Sequence, residues 1–558
     1  MRDFSRFAAP MSSGILPGTV RTLSLRSAFG PLALGLVLAL SGCAGKTGGT
    51  ATPRGKSKED IEKEKETAAE KAKVQGLIEL ANTDLGNGRY VSARKRAEEA
   101  LADDPSNPDA YVVLGAAEWR AGEFESSTEA FRKALELDPK NFGAAIDLSR
   151  NLRAMSLYDE ALKVLEPAIA AEGDGFASKA CESLQDCVEA GGWCHPTEKV
   201  CKAPVQIQTR RSQLWGYYTT LEVDKGIAVA DDVFLGAAGD DEATLAVLEV
   251  IRAYSDFLKL FQGKSLIEIE GESATVNDFG IDYNGVKHAF ALVGGEPARV
   301  GLSEVQIESR VSLEAVEQLK LVSLGKIKVF GLGDEPVDVV LVPEVDFQGL
   351  KIKNIPAIVQ DLSFYETGMG EIPAVILGHQ VLHRIGSVVA DFPGNKLTLT
   401  KAAPSAAPAG AAELPLLMLD QWYIHVPVTK IALDGSDFQF WAWVGGLHPS
   451  SIATTAKAYL KSDHLPRDIE NPEDPETGRK MVFLDQVAFG ANKLEGIGGL
   501  VFLDKPGDFG IDGVRDSNGL IGFELGGYIN VAAMKQLEIT YAFSQGKIWI
   551  RTPAVAAP

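Results

Sequence analysis

The chain is short of basic charge, of cysteine and of long apolar runs, and each shortage closes a class of function. Lysine and arginine number 55 against 76 aspartate and glutamate, a formal net charge of −21. Nucleic-acid recognition needs a basic face to neutralise phosphates, and no Lys/Arg stripe interleaved with aromatics is present. The same acidity opposes electrostatic attachment to anionic lipid, so any membrane association has to be covalent. A helix needs roughly 20 apolar residues to cross a bilayer, and the run from Pro31 to Leu40 (PLALGLVLAL) has ten. Only five cysteines occur in 558 residues, and none falls in the closely spaced pairs typical of structural zinc. Composition is otherwise ordinary: 45% hydrophobic and 23% charged argue against wholesale disorder. The length suggests roughly three or four domains.

What is present begins with an export pattern. Arg21 and Arg26 precede Pro31–Leu40, which runs into Leu40-Ser41-Gly42-Cys43. Basic residues, a short apolar core and small residues before a cut site are the parts of a secretory signal. The Leu-Ser-Gly-Cys ending resembles the lipobox of bacterial lipoproteins. That resemblance implies a signal peptide over 1–42 and lipidation of Cys43, several acyl chains together giving a stable membrane anchor. Ala44 after the cysteine, in place of Asp, implies an outer-membrane lipoprotein of the bacterial cell envelope, on its periplasmic or surface face. The other cysteines cluster as Cys181-x5-Cys187-x6-Cys194-x6-Cys201. An even number in an exported chain reads as two disulfides, with three pairings open. The spacing is too wide for zinc, and His195 adjoins Cys194 too closely to share a metal with it.

Residues 43–73 form a charged tether, solvated whether disordered or a single exposed helix. From 74 to 172 a period of 34 appears: Leu80, Leu114 and Leu148 coincide, as do Gly88, Gly122 and Ser156, then Tyr90, Phe124 and Tyr158. Ala100, Ala134 and Ala168 follow, with Pro105 and Pro139 closing the first two units. Small residues allow close helix crossings, large apolar ones fill between, and proline ends each second helix. The pattern resembles three tetratricopeptide repeats, which implies a helical solenoid whose groove holds an extended peptide or a partner helix. Residues 173–204 are the disulfide-bonded insert. Helical spacing resumes over 205–263, a cap in which Trp215, Tyr217 and Tyr218 are expected in the core.

Alternation such as Ile267-Glu-Ile-Glu270 and β-branched runs such as Val337–Val342 mark two β-rich segments, 264–400 and 414–552. An Ala/Pro linker, 401–413, separates them and is expected not to fold. Each segment has an opening strand pair ending in Val-Gly-Gly: Val293-Gly294-Gly295 and Val444-Gly445-Gly446. Each has a middle hairpin, Val345–Asp361 and Val487–Asp504. Each closes on a small signature, Val375-Ile-Leu-Gly378 and Gly519-Leu-Ile-Gly522. These features resemble the retropepsin-like aspartyl-protease lobe, twice over, with Val-Gly-Gly where the family carries Asp-Thr/Ser-Gly. Catalysis in that family uses two carboxylates sharing a proton around a water, and valine has no proton to exchange. The resemblance therefore implies a degenerate protease with no catalytic residues, whose two β domains could pair as an intramolecular pseudo-dimer.

The expected fold is thus multidomain α plus β, a helical solenoid followed by two barrels. The expected function is non-catalytic protein or peptide binding, or scaffolding, through the repeat groove and the pseudo-protease cleft. The alternative is an aspartyl protease using non-standard carboxylates such as Asp282 or Asp434, which precede the strand that should carry the active loop. His379-x3-His383 places two imidazoles on one helix face, but Gln380 stands where a zinc protease has its Glu, and no third ligand is evident. Gly331-x-Gly333 and Gly496-x-Gly498-Gly499 lack the strand–helix setting of a nucleotide loop. No cofactor or metal is expected.

Overall fold

A computed structural model describes residues 58–172, 179–182, 187, 193–195, 199–203, 205–236, 242–282, 285–329, 335–366, 371–421, 424–446, 450–469, 478–503, 523 and 525–552. The signal segment with Cys43, the Leu520-Ile-Gly522 signature and Gly331-x-Gly333 lie outside these residues.

The first half is a run of paired helices: α1 (Lys58–Gly86), α2 (Tyr90–Asp103), α3 (Pro108–Ala121), α4 (Phe124–Leu137), α5 (Phe142–Ala154), α6 (Tyr158–Lys163) and α7 (Glu166–Ala171). The charged tether is helical from Lys58 and continuous with the first repeat helix. Boundaries follow local chemistry. Asn107 accepts from the Ala110 amide at 3.1 Å with Pro108 at the first turn, and Asn141 repeats the cap on Ala144 at 2.9 Å. Gly122 ends α3 in the left-handed region, φ 79°. Gly115 lets α3 and α4 approach: a Cβ there would meet the Phe131 ring at 2.8 Å. Leu148 of the third unit is buried, whereas Leu80 of the first unit stays 49% exposed.

After the third pair, Cys181 bonds Cys194 and Cys187 bonds Cys201, with short strands β1 (Trp193–Cys194) and β2 (Cys201–Lys202) between them. Helices α8 (Ile207–Thr220), α9 (Val223–Gly236) and α10 (Glu242–Lys259) then complete the helical part. Gly236 of α9 packs on Trp193, where a Cβ would stand 2.5 Å from the indole nitrogen. The insert is therefore pinned to α9. Trp215 and Tyr218 are buried as expected, and Tyr217 is partly so.

The first β domain contains β3 (Glu268–Gly271), β4 (Ser273–Asn277), β5 (Gly280–Ile281), β6 (Lys287–Val293), β7 (Glu296–Leu302), β8 (Ser309–Val311), α11 (Leu313–Gln318), β9 (Gly325–Ile327), β10 (Val337–Asp346), β11 (Leu350–Val359), β12 (Val375–Leu377), α12 (His379–Leu382), β13 (Ser387–Asp391) and β14 (Lys396–Thr400). The second contains β15 (Ala412–Pro415), β16 (Leu417–Gln421), β17 (Ile424–Leu433), β18 (Gln439–Gly446), β19 (Ile452–Thr455), α13 (Ala456–Lys461), β20 (Arg479–Phe489), β21 (Asn492–Phe502), β22 (Gly527–Asn530), α14 (Val531–Met534), β23 (Glu538–Ala542) and β24 (Lys547–Arg551). Each domain has its own barrel-like sheet, in the orders β3-β11-β8-β12-β7-β6-β10-β9 and β16-β17-β18-β22-β19-β21-β20. Extra β10–β11 and β17–β20 pairings curl each sheet on itself. A third sheet, β15-β24-β23-β13-β14-β4, takes three strands from each domain and joins them through antiparallel β13 and β23.

The linker expected to stay unfolded to Glu413 departs from expectation at its end. Ala412 and Glu413 already lie in β15, paired with Ile550 and Trp549, because alternating Ala412 and Leu414 bury one face while Glu413 stays out. One contiguous apolar core runs from α8–α10 through both β domains.

Candidate functional site

Six strands of the two barrels repeat in the same order, β11-β8-β12-β7-β6-β10 and β21-β19-β22-β18-β17-β20, whereas β3 and β9 have no counterpart among the described residues of the second sheet. β7 lies between antiparallel β6 and parallel β12; β18 lies between antiparallel β17 and parallel β22. In register, Leu302 faces Leu377 as Val444 faces Ile529. Gly378 and Asn530 then stand before α12 and α14. The strand and helix matching Val375–Gly378 are accordingly Gly527–Asn530 and α14.

The two Val-Gly-Gly triplets do not occupy equivalent places. Val293 pairs with Glu296, so Gly294 and Gly295 are the two-residue turn of the β6–β7 hairpin, both at positive φ (59° and 93°). Val444-Gly445-Gly446 instead ends β18 beside β22. The first-domain residues at that place are Leu302, Ser303 and Glu304. The two Gly-Gly pairs thus mark a hairpin turn in one domain and a strand end in the other.

Glu304 is the one carboxylate at either place, and it is already used. Its oxygens hold the Lys287 ammonium at 2.7 and 2.8 Å with both side chains buried. Lys287 Nζ also stands 4.9 Å from the centre of the Tyr541 ring, on β23 of the other domain. Burial, followed by the Glu304 charge, pushes the Tyr541 phenol well above its ordinary range. The next carboxylate, Glu308, accepts from the Tyr218 hydroxyl of α8 and from Arg310 at 3.1 Å. Tyr218 is fully enclosed, and burial again pushes its phenol upward, with Glu308 adding to the effect. The two domains approach near Gly445, where a Cβ on Gly285 would stand 3.1 Å from its carbonyl oxygen.

Asp282 and Asp434, the substitute carboxylates weighed from sequence, each sit beside a histidine: Asp282 3.0 Å from His288 and Asp434 3.1 Å from His464. Asp282 also caps its own turn by accepting from the Val286 amide at 2.9 Å. They lie in hairpins at different topological positions, after β5 and after β17. A proton-sharing dyad needs two carboxylates about 3 Å apart.

His379 and His383 project from α12 into a junction of four parts of the chain. The Tyr158 hydroxyl of α6 meets His379 Nε2 at 3.0 Å, and its ring stands edge-on to His383 at 4.8 Å. His425 of β17 stands edge-on to His379, ring centres 4.3 Å apart, and its amide donates to the Val305 carbonyl at 2.8 Å. Burial, then the neighbouring His425 and His383, holds His379 well below its usual range, and burial takes His383 down to about 4. His425 is the third imidazole that sequence spacing could not supply. The three ring sets are not gathered around one point, however. Among the described residues the only three candidate ligand atoms within 4.8 Å of one another are the sulfurs of Cys181, Cys187 and Cys194, and those are committed to disulfides.

The repeats meet the second β domain at an aromatic knot. Trp119 and Phe124 flank the α3–α4 turn and pack against Trp441 and Phe523 in edge-on geometry. The Trp441 indole donates to the Gly122 carbonyl at 2.8 Å, and a Cβ on Gly122 would collide with the same ring at 2.9 Å. The glycine that ends a repeat helix is also the docking point for another domain. Helix α5 packs against β16, and its residues from Leu148 to Ala154 are buried apart from the half-buried Arg150.

Residues 78–142 match the tetratricopeptide repeat family. The N-terminal helical region is a tetratricopeptide-like repeat array. A search of curated proteins returns no match. Among solved structures, the chain is similar to the first tetratricopeptide domain of Spaghetti (RPAP3) bound to an HSP90 peptide, at 23% identity over 19% of this chain and 85% of that one, TM-score 0.18. It is similar to the TPR2B domain of yeast Sti1 in complex with an Hsp70 peptide, at 21% identity over 19% and 83%, TM-score 0.18. It is also similar to the Sgt2 tetratricopeptide domain from Aspergillus fumigatus, at 20% identity over 30% and 87%, TM-score 0.21.

Proposed function

We propose that the chain is a non-catalytic scaffold or protein-binding lipoprotein of the bacterial envelope. In this reading Cys43 carries the lipid, the charged segment lifts the molecule from the membrane, and the tetratricopeptide array receives a protein or extended peptide. The β body is read as a degenerate aspartyl protease whose two barrels form an intramolecular pseudo-dimer about the shared sheet. The observation that carries the non-catalytic part is the content of the two equivalent loops. Leu302-Ser303-Glu304 and Val444-Gly445-Gly446 offer a single carboxylate between them, and Lys287 neutralises it. Acid–base catalysis on a peptide bond requires one carboxyl to take a proton while its neighbour gives one.

The geometry also favours one binding surface over the other. The 303–308 loop lies beneath Tyr218 and His425, whereas α3 of the second repeat keeps a partly open side chain in Tyr111. Solved tetratricopeptide domains with HSP90 and Hsp70 peptides make a peptide the first ligand to try here. The test incubates the soluble chain from Ala44 with a mixed peptide library across acid to mildly basic pH. Retention without cleavage, weakened by Tyr111→Ala, is the expected result. Acid-dependent, pepstatin-sensitive cleavage would establish a protease with non-standard catalytic groups and overturn the proposal.

A further inference from the structure

Three of the seven histidines in the chain converge where the repeat array, the cap and both β domains meet. We propose that His379 and His383, packed against His425, form an acid-sensitive joint, which holds the third repeat against the β body while those two imidazoles are neutral and releases it when they take up protons. The joint is made of contacts between elements that have no covalent reason to stay together. Tyr158 comes from α6, His379 and His383 from α12, Trp215 from α8 and His425 from β17. The Trp215 and His425 ring centres are 6.1 Å apart, and Phe543 closes the far side of His379 at 5.8 Å.

The charges facing the cluster determine the direction of the response. Just after α12, Arg384 adjoins His383 and donates to the carbonyls of Thr220 and Gln380; a cation there disfavours a second one. From the 303–308 loop come Glu304 and Glu308, the first held by Lys287 and the second by Tyr218 and Arg310. On α8 the nearby titratable group is Tyr218, on β23 it is Tyr541, and on α6 Tyr158 presents its hydroxyl, with Asp159 and Glu160 exposed beside it. Glu222, after α8, acts on Arg384. In the His379 tautomer whose Nε2 accepts from the Tyr158 hydroxyl, a proton there turns that acceptor into a second donor. It also places a charge at 0% exposure, 4.3 Å from the ring of His425. Burial of an unpaired charge is strongly unfavourable.

The linkage has a definite sign. A histidine whose pKa is depressed in the docked form binds protons more tightly once released. Docking is therefore strongest above the ordinary histidine value and weakens as pH falls towards the docked value. For His383 the window runs from 6.5 to about 4, which by itself weakens docking ~80-fold across the interval and approaches ~300-fold only below it.

The test follows the soluble chain from Ala44 by small-angle scattering and far-ultraviolet circular dichroism between pH 7.5 and 4. The radius of gyration should rise as pH falls below about 6.5, with helix and strand signals retained. The His379→Gln/His383→Gln double variant, which cannot charge, should move that transition down by at least a pH unit or abolish it. Tyr158→Phe keeps the ring and removes the hydroxyl that favours neutral His379, and should move the transition up. It serves as the independent variant if the double substitution does not fold. An unchanged radius down to pH 4, an unchanged midpoint in Tyr158→Phe, or loss of secondary structure at the same pH as the scattering change would overturn the proposal.

Discussion

At the scale of single residues, the most consequential choice is a lysine at the start of a barrel strand. Lys287 is 1% exposed and Glu304 3% exposed, and their pairing places a charge-assisted bond where the proposed degenerate-protease reading would otherwise have a free carboxyl. A buried pair contributes little net stability over apolar residues of similar size, but breaking it leaves one charge uncompensated. Lys287→Met should therefore cost about 3–5 kcal/mol in chemical denaturation. Lys287→Met/Glu304→Leu should recover most of that loss. Equal destabilisation by the single and double changes would mean the pair is not what holds the loop. Neither variant should gain proteolytic activity, since Glu304 has no second carboxylate at Val444-Gly445-Gly446.

At the scale of elements, the turns separate what the sequence reveals from what it conceals. Gly295 at φ 93° has open space where a Cβ would go, so Gly295→Ala tests backbone conformation alone. It should cost about 1–2 kcal/mol, read as a lowered urea midpoint with unchanged slope. A neutral result would argue against a tight turn with two positive φ angles. The 34-residue period was legible because each helical pair makes its main contacts with its sequence neighbours, so Leu114, Phe124 and Ala134 have like counterparts at fixed offsets. The hairpins β10–β11 and β20–β21 were legible for the same reason. Val-Gly-Gly was ambiguous, because glycine pairs close a hairpin as readily as they follow a strand. Only the parallel pairing of β7 with β12 and of β18 with β22 distinguishes the two. Those partners lie far away in sequence, and Gly527-Tyr-Ile-Asn530 has no Ile-Leu-Gly to advertise its role. His425 was invisible as a partner of His379 for the same reason: the contact spans domains.

At the scale of the molecule, the six-stranded sheet decides how the parts depend on one another. β13 lies between β14 of its own domain and β23 of the other, so neither barrel completes this sheet alone. The core that fills both barrels also takes in Leu214, Val233, Ile251 and Phe257 of α8–α10. The boundary near 264 therefore marks a change of secondary structure and the one near 414 a linker between β segments, and the shared sheet and core argue against independent folding units on either side. Residues 414–552 expressed alone would expose the β23 edge and the apolar face that β13 and α8–α10 cover. Unpaired edges and uncovered apolar faces promote association. That fragment should aggregate or lack a cooperative thermal transition, whereas residues 205–552 should unfold in one calorimetric step with matching van't Hoff and calorimetric enthalpies. A soluble 414–552 fragment with its own sharp transition would show that the second barrel folds without the first, and that the shared sheet is a late docking contact with no part in the fold itself.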